Sequence, residues 1–331
     1  MSSLSYTTTV TGGVWSVTVD QLPVGAQVYA KAGSWFYESV ASNVEISGAS
    51  STSGAVPTVL AWPADSGAFR TLLTGDVLMA GGEDGVSIIN QTVLYNIGSG
   101  TFSTAGNMIT ARTVPNSIVL GSGEVLVAGG TTDYGFTAID SAELYDPLSQ
   151  TWGPTGTMNY KRAYAAMARL HNGNILVAGG QDIVGLTVFD TAEIYSTSGG
   201  TWSTSGGIMN STRRFCNAVT LSDGKVLVVG GQDGSDTAVM FADIYDPALD
   251  SWSTSGTTNF EGFESCQLVV LDDGQVLAAC LWGTSGTELY NPGTNLWSTT
   301  GRMSITRFFG GLSKLPNGDV LAYGGSEDSS T

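Results

Sequence analysis

The chain has 331 residues, with 12 Lys plus Arg against 29 Asp plus Glu, for a net charge of −17. Only 12% of residues are charged while 42% are hydrophobic, which excludes a disordered acidic chain. The acidic balance argues against nucleic acid and anionic membrane as partners, since both need basic patches, and no apolar run approaches the ~18 residues of a membrane span.

In chain order, the opening residues MSSLSYTTTV lack a charged leader and an apolar core, so no secretion signal is read there. Segment 7–19, TTTVTGGVWSVTV, reads as a tight hairpin. From residue 75 onward one block recurs six times: GDVLMAGG at 75, GEVLVAGG at 123, GNILVAGG at 173, GKVLVVGG at 224, GQVLAACL at 274 and GDVLAYGG at 318. The first five are followed by TVLYNI at 92, AELYDP at 142, AEIYST at 192, ADIYDP at 242 and TELYNP at 287. An aromatic residue comes next: Phe102, Trp152, Trp202, Trp252 or Trp297. About ten residues on stands Arg112, Arg162, Arg213 or Arg307, with Glu261 near that position in the repeat lacking it.

Each element has a physical reading. Val125-Leu126-Val127-Ala128 is apolar without alternation, as a strand buried on both faces requires. The turns before such runs, Ser222-Asp223-Gly224 among them, are hairpin signals. Asp146-Pro147 and Asp246-Pro247 end the third strand, because proline cannot donate to a ladder. The repeated Trp is expected to wedge each outer strand against the next blade. In the third repeat the four strands are a (164–170), b (174–180), c (191–196) and d (200–203).

The order G-x-V-L-V-x-G-G, E-L-Y-D-P, T-W, then Met and Arg resembles the kelch repeat, nearest to that of bacterial galactose-oxidase-like propellers, over about 68–325. The resemblance implies an all-β, kelch-type β-propeller of four-stranded blades that closes a ring and binds partners through loops on one face. The last repeat stops after strand b at Gly325. Closure by 26–36, with Tyr29 and Trp35 in the c and d places, makes six blades and is preferred. A rival match of 22–25 to the hairpin turn, with Gly33 49 residues before Gly82, makes seven. A third reading takes 1–62 as a small β domain of its own. The expected layout is an N-terminal β segment 1–62, the propeller 63–325 and a polar tail 326–331.

Chemistry is sparse. Galactose oxidase relatives hold copper with histidines and tyrosines, whereas the one histidine here, His171, falls in an a–b turn, where a solvated turn residue is expected. No copper, zinc or catalytic triad position is carried over, and no cofactor or metal is expected. Glu143, Glu193, Asp243 and Glu288 share one strand-c position and suit a packing or hydrogen-bonding role better than paired catalytic carboxylates. Asp182, Asp190, Asp233 and Asp236 fit no 12-residue calcium loop. Cys216, Cys266 and Cys280 read as small buried hydrophobes.

The b–c loops vary where the a–b and c–d turns do not, so binding is expected on that face. The candidates are Arg112, Arg162, Arg213 and Arg307 at the ring's opening, with Asp133, Tyr134, Phe136, Asp182, Phe189, Asp233, Asp236 and Trp282 on the loops. The arginines read either as an anion or sugar site or as partners of loop carboxylates such as Asp133 and Asp182. The leading expectation is a non-catalytic binding or assembly module on a virion or extracellular surface, a virion attachment or decoration protein or an adhesin. Its partners would be protein neighbours or a surface glycan. The alternative is a lectin or carbohydrate-active enzyme using the same loop face.

Overall fold

The computed structural model describes residues 30–32, 35–37, 67–84, 86–134, 137–259, 266–280, 282–303, 307–315 and 317–326. Segments 7–19 and 22–25, with Phe136 and Glu261, lie outside them.

The described chain is all-β and built from antiparallel meanders. A short hairpin pairs β1 (Ala30–Ala32) with β2 (Trp35–Tyr37). The first blade is β3 (Ala68–Thr71), β4 (Val77–Ala80), β5 (Thr92–Asn96) and β6 (Thr101–Thr104). The second is β7 (Asn116–Val119), β8 (Val125–Ala128), β9 (Ala142–Asp146) and β10 (Thr151–Pro154). The third is β11 (Ala166–Arg169), β12 (Ile175–Ala178), β15 and β16, with a two-stranded extension, β13 (Gln181–Asp182) and β14 (Thr187–Val188), inside its b–c loop; β15 spans Thr191–Ser196 and β16 Thr201–Ile208. The fourth is β17 (Asn217–Thr220), β18 (Val226–Val229), β19 (Phe241–Asp246) and β20 (Ser251–Thr257). The fifth is β21 (Cys266–Val270), β22 (Val276–Cys280), β24 and β25, with β23 (Trp282–Thr284) leaving to join the next sheet; β24 spans Thr287–Asn291 and β25 Leu296–Thr299. That next sheet pairs β23 with β26 (Arg307–Lys314) and β26 with β27 (Val320–Ser326).

Inner strands follow one another in space: β3 lies beside β7, β7 beside β11, β11 beside β17, β17 beside β21 and β21 beside β26. Successive four-stranded sheets packed along their inner strands give a β-propeller-like architecture.

The second strand of each blade shows why its sequence does not alternate. Val125 and Val127 pack into the first blade's core with Leu78 and Leu94. Leu126 and Ala128 point the other way, against Ile175 and Val177 of the third blade. Period-2 geometry sends neighbouring side chains to opposite faces, and both faces here are covered by another blade. All four residues are fully buried.

The chain leaves this strand through a glycine pair that no larger residue replaces cheaply. At Gly129, φ is +67°, and a Cβ would lie 2.3 Å from the Arg162 carbonyl oxygen. The next blade's backbone occupies the space a side chain would need.

The recurrent tryptophan works in the direction opposite to the one expected. Trp152 Nε1 donates to Thr92 Oγ1 of the first blade at 2.9 Å, and Trp202 Nε1 to the Gly156 carbonyl of the second at 2.8 Å. Each therefore seals its blade against the preceding one. Behind it stands the tyrosine of strand c, 5.2 Å from the ring for Tyr145–Trp152 and 5.1 Å for Tyr195–Trp202. Tilted aromatic pairs of this kind add to the burial of their area.

The outer strand also runs longer than expected in two blades. β16 reaches Ile208 and β20 reaches Thr257 because Thr191 and Phe241 resume pairing after a register shift next to Glu193 and Asp243. The shift sits beside those carboxylates, whereas Glu143 of the second blade makes the same contacts without one.

Candidate functional site

Three of the four repeated arginines do not stand open to a ligand. Arg112, Arg162 and Arg213 are each 0% exposed. Arg162 Nε meets Glu193 Oε1 at 3.0 Å, and its Nη1 donates to the carbonyls of Gly179 at 2.6 Å and Thr191 at 3.0 Å. Arg112 pairs with Glu143 at 2.6 Å and Arg213 with Asp243 at 2.5 Å. Each carboxylate also accepts from the backbone that precedes its arginine: Glu193 takes the N–H groups of Asn159 and Tyr160, and Glu143 those of Ile109 and Thr110. Burial lowers the Arg112 and Arg162 pKa values, and the facing glutamate opposes that shift.

This arrangement corrects both readings of these arginines. They meet the strand-c carboxylates, not Asp133 or Asp182, and they are sealed from any surface ligand. A guanidinium with five donors can staple the segment between blades to the blade that follows, where isolated backbone carbonyls would otherwise be orphaned. The fifth blade keeps the acceptor half, with Glu288 fully buried and accepting from the Asn259 backbone.

The loop carboxylates mostly brace their own loops. Asp133 accepts from the Thr137 N–H and hydroxyl, Asp182 from the Gly185 N–H, and Asp233 from the N–H groups of Ser235 and Thr237. Tyr134 is 57% exposed and donates to the Val86 carbonyl on the adjacent blade's loop at 2.5 Å. Phe189 stacks over Arg162, 4.7 Å from ring centre to guanidinium carbon, beside Tyr160. Trp282 and Arg307 lie on β23 and β26, and their side chains are outside the described residues.

One polar cluster stands out at the seam of the third and fourth blades. Arg214, directly after the sealed Arg213, bridges Gln181 Oε1 at 2.7 Å and Gln232 Oε1 at 3.2 Å and pairs with Asp236. Its guanidinium lies 5.3 Å from the centre of the Phe215 ring. That ring sits 4.4 Å from Tyr164, and the Phe215 N–H donates to the Tyr164 carbonyl at 2.9 Å. Burial raises the Tyr164 pKa, with Arg214 acting partly against it, so the phenol is a hydrogen-bond donor at neutral pH. Arg214 Nε is buried without an acceptor among the described residues.

The backbone here is strained. Tyr164 and Phe215 both have φ of 58°, and Val114 at the same repeat position has 46°. Bulky residues avoid that region, and holding one there costs about 1–3 kcal/mol. Of the cluster, only Asp236 was among the expected site residues. Arg214, Tyr164, Phe215, Gln181 and Gln232 were missed, although the doublet Arg213-Arg214 was a visible signal. Other repeats follow the sealed arginine with Thr113 or Ala163.

No protein-family model matches the chain, and no curated protein is similar to it. Among solved structures it is similar to a fungal alcohol oxidase of the AA5 family, determined in complex with copper. The TM-score is 0.60 at 17% identity, over 78% of this chain and 58% of that one. The likeness supports a propeller fold. The chain thus spans little more than half the length of the oxidase it resembles.

This finding corrects the expectation of a non-catalytic assembly or attachment module. That reading leaned on the poverty of catalytic residues, and an oxidase stands on a scaffold of the same kind. Nothing in the fold or the likeness supports a virion or adhesin role.

The copper of that oxidase does not carry over with its scaffold. Imidazole is the donor that a copper site of the kind expected from the repeat requires. The chain's single histidine lies on an a–b turn, at the end of the blade away from Arg214. Among the described residues no three His, Cys, Asp or Glu side chains converge on one point. Cys216 is fully packed, and burial pushes its thiol up to about 11, which disfavours the thiolate a metal would need. Among the described residues the donor set does not fit copper.

Proposed function

We propose that the chain recognises a hydroxyl-rich substrate, a sugar or related alcohol, on its b–c loop face at the Arg214 cluster, as the substrate-binding surface of a carbohydrate-active enzyme. The observation that carries the reading is the fan of Gln181, Gln232 and Asp236 around Arg214, beside the strained Tyr164–Phe215 pair. Sugar hydroxyls need donors and acceptors fixed side by side, and the faces of a pyranose ring suit aromatic walls. Arg214 Nε offers a donor, the amide groups of the two glutamines and the second carboxylate oxygen of Asp236 offer further donors and acceptors, and the Tyr164 phenol supplies another donor. The likeness to an alcohol oxidase favours a hydroxylated substrate over a protein one.

Saturation-transfer NMR with neutral hexoses and their oligosaccharides tests this. Transfer to a sugar by the parent, lost in Arg214→Gln at an unchanged melting temperature, is the expected result. Absence of transfer to every sugar, or transfer that survives the substitution, would overturn it. Product analysis on the sugar that binds then separates an enzyme from a lectin.

The same reading takes the scaffold as a kelch-type ring of six blades, the last completed from the N-terminus. Its support is that β2, which begins with Trp35, lies against β27. Removing 1–40 should bare the edge of that blade and cause aggregation. A truncated chain that stays monomeric and equally heat-stable would mean the N-terminal strands are not part of the ring.

A further inference from the structure

The inner strands distribute charge against the trend of the chain. β3, β7, β11, β17, β21 and β26 carry Arg70, Arg169, Arg307 and Lys314 and not one Asp or Glu, in a protein with 29 acidic residues. On the a–b turn side, opposite the Arg214 cluster, the ends of β11, β17 and β21 border a cavity of about 490 Å³. Arg169, His171, Thr220, Ser222 and Val270 line it.

A guanidinium and an imidazole therefore share one concave site in a strongly acidic molecule. The acids in the adjoining turns are already engaged: Asp223 faces Lys225 at 3.6 Å, and Asp272 pairs with Lys314. Among the ion pairs of the described residues, none joins Arg169 or His171 to a carboxylate.

Neither side chain is demanded by the repeat. The Arg169 position is filled elsewhere by Thr71, Val119, Thr220, Val270 and Lys314, and the His171 position by Leu73, Gly121, Ser222, Asp272 and Pro316. Both are nonetheless accommodated by glycines of neighbouring blades. A Cβ at Gly121 would lie 2.3 Å from Arg169 Nη2, so the guanidinium occupies the room that this glycine leaves. A Cβ at Gly224 would meet His171 Nδ1 at 3.0 Å. The Thr220 hydroxyl donates to the Arg169 carbonyl at 2.5 Å and ties the ends of β11 and β17 together beneath the cavity.

We propose that this cavity is a second binding site, which takes a small oxyanion, a carboxylate or a phosphate, between Arg169 and His171. A guanidinium offers paired N–H donors that match two oxygens of either group. His171 and Ser222, which also line the cavity, add an imidazole and a hydroxyl to the donors it can offer. The apolar wall at Val270 leaves room for a carbon skeleton behind the charge. The site is independent of the sugar-binding face, which lies at the other end of the blades.

Isothermal titration at low ionic strength tests it with two probes, inorganic phosphate and glucuronate. We expect the parent to bind at least one, with phosphate pointing to an ester ligand and glucuronate to an acidic sugar. Arg169→Gln should weaken that binding at least tenfold and His171→Gln by a smaller factor. Gly121→Ala should also weaken it, because the methyl displaces the guanidinium while the charge stays. Arg214→Gln should leave it unchanged, which separates this site from the loop-face reading. Unliganded melting temperatures of Arg169→Gln and His171→Gln should match the parent. Failure of both probes to bind, equal binding by Arg169→Gln, or loss through Arg214→Gln instead would overturn the proposal.

Discussion

Arg213 and Arg214 are adjacent in sequence and opposite in role. The first is fully buried on Asp243, and its equivalents Arg162 and Arg112 make the same contact one and two blades earlier. The second has no arginine equivalent in those blades and spreads over three side chains of two b–c loops beside strained aromatics. The lesson concerns repeat proteins generally. A charged residue present in most units serves the contact between units, and one that appears once is free of that duty. A repeated charge is therefore weak evidence for a ligand, and a break in the repeat is the better guide.

Breaking the staple should have the largest effect. Glu193→Ala leaves Arg162 charged, dry and without its carboxylate, a loss of about 3–5 kcal/mol in typical cases. Urea denaturation of the variant checks it. A double substitution of Arg162→Met and Glu193→Leu should recover much of that loss, since an apolar pair removes the stranded charge as well as its partner. A single variant that loses under about 1 kcal/mol would mean the pair is not what holds consecutive blades.

The repeated interior and the variable rim should also differ for the same residue type. Leu126 is fully buried between two blades, and Leu126→Ala should cost about 2–5 kcal/mol. Leu148 is 94% exposed in the second blade's c–d turn, and Leu148→Ala should change stability by less than about 0.5 kcal/mol. Similar losses from both would mean that β8 is not packed on two faces.

Most of the blade was legible because each requirement recurs. Glycines before and after β8, a non-alternating apolar run, the strand-c tyrosine and the strand-d tryptophan are local signals repeated at one period. The Trp direction was not legible, because a strand's sequence says that one face is covered and not by which neighbour. Trp152 reaches back to Thr92 for a reason set by the stacking of the sheets. The partners of the arginines were hidden for the same cause. Arg162 and Glu193 are 31 residues apart, and only the fold brings strand c under the preceding segment. The Arg214 cluster was hidden more deeply. Gln181 and Gln232 look like ordinary loop-start residues until isolated bridges from Ala163 and Arg214 align them across the seam.

The smallest effect is expected at Tyr134, and it sharpens the contrast between scaffold and rim. The residue is 57% exposed, and its hydroxyl donates to the Val86 carbonyl on the neighbouring loop. An exposed donor exchanges that bond for one with water, so the net contribution is about 0.5–1.5 kcal/mol at most. Tyr134→Phe should therefore shift the melting temperature slightly and leave the unfolding cooperative. Tyr134→Ala should do little more, because over half of the residue is already exposed to solvent. Neither change should alter sugar binding at Arg214, which belongs to the seam two blades along. If Tyr134→Ala abolishes binding while Arg214→Gln does not, the recognition surface lies across the first two blades, and the repeat-breaking arginine is only a loop brace.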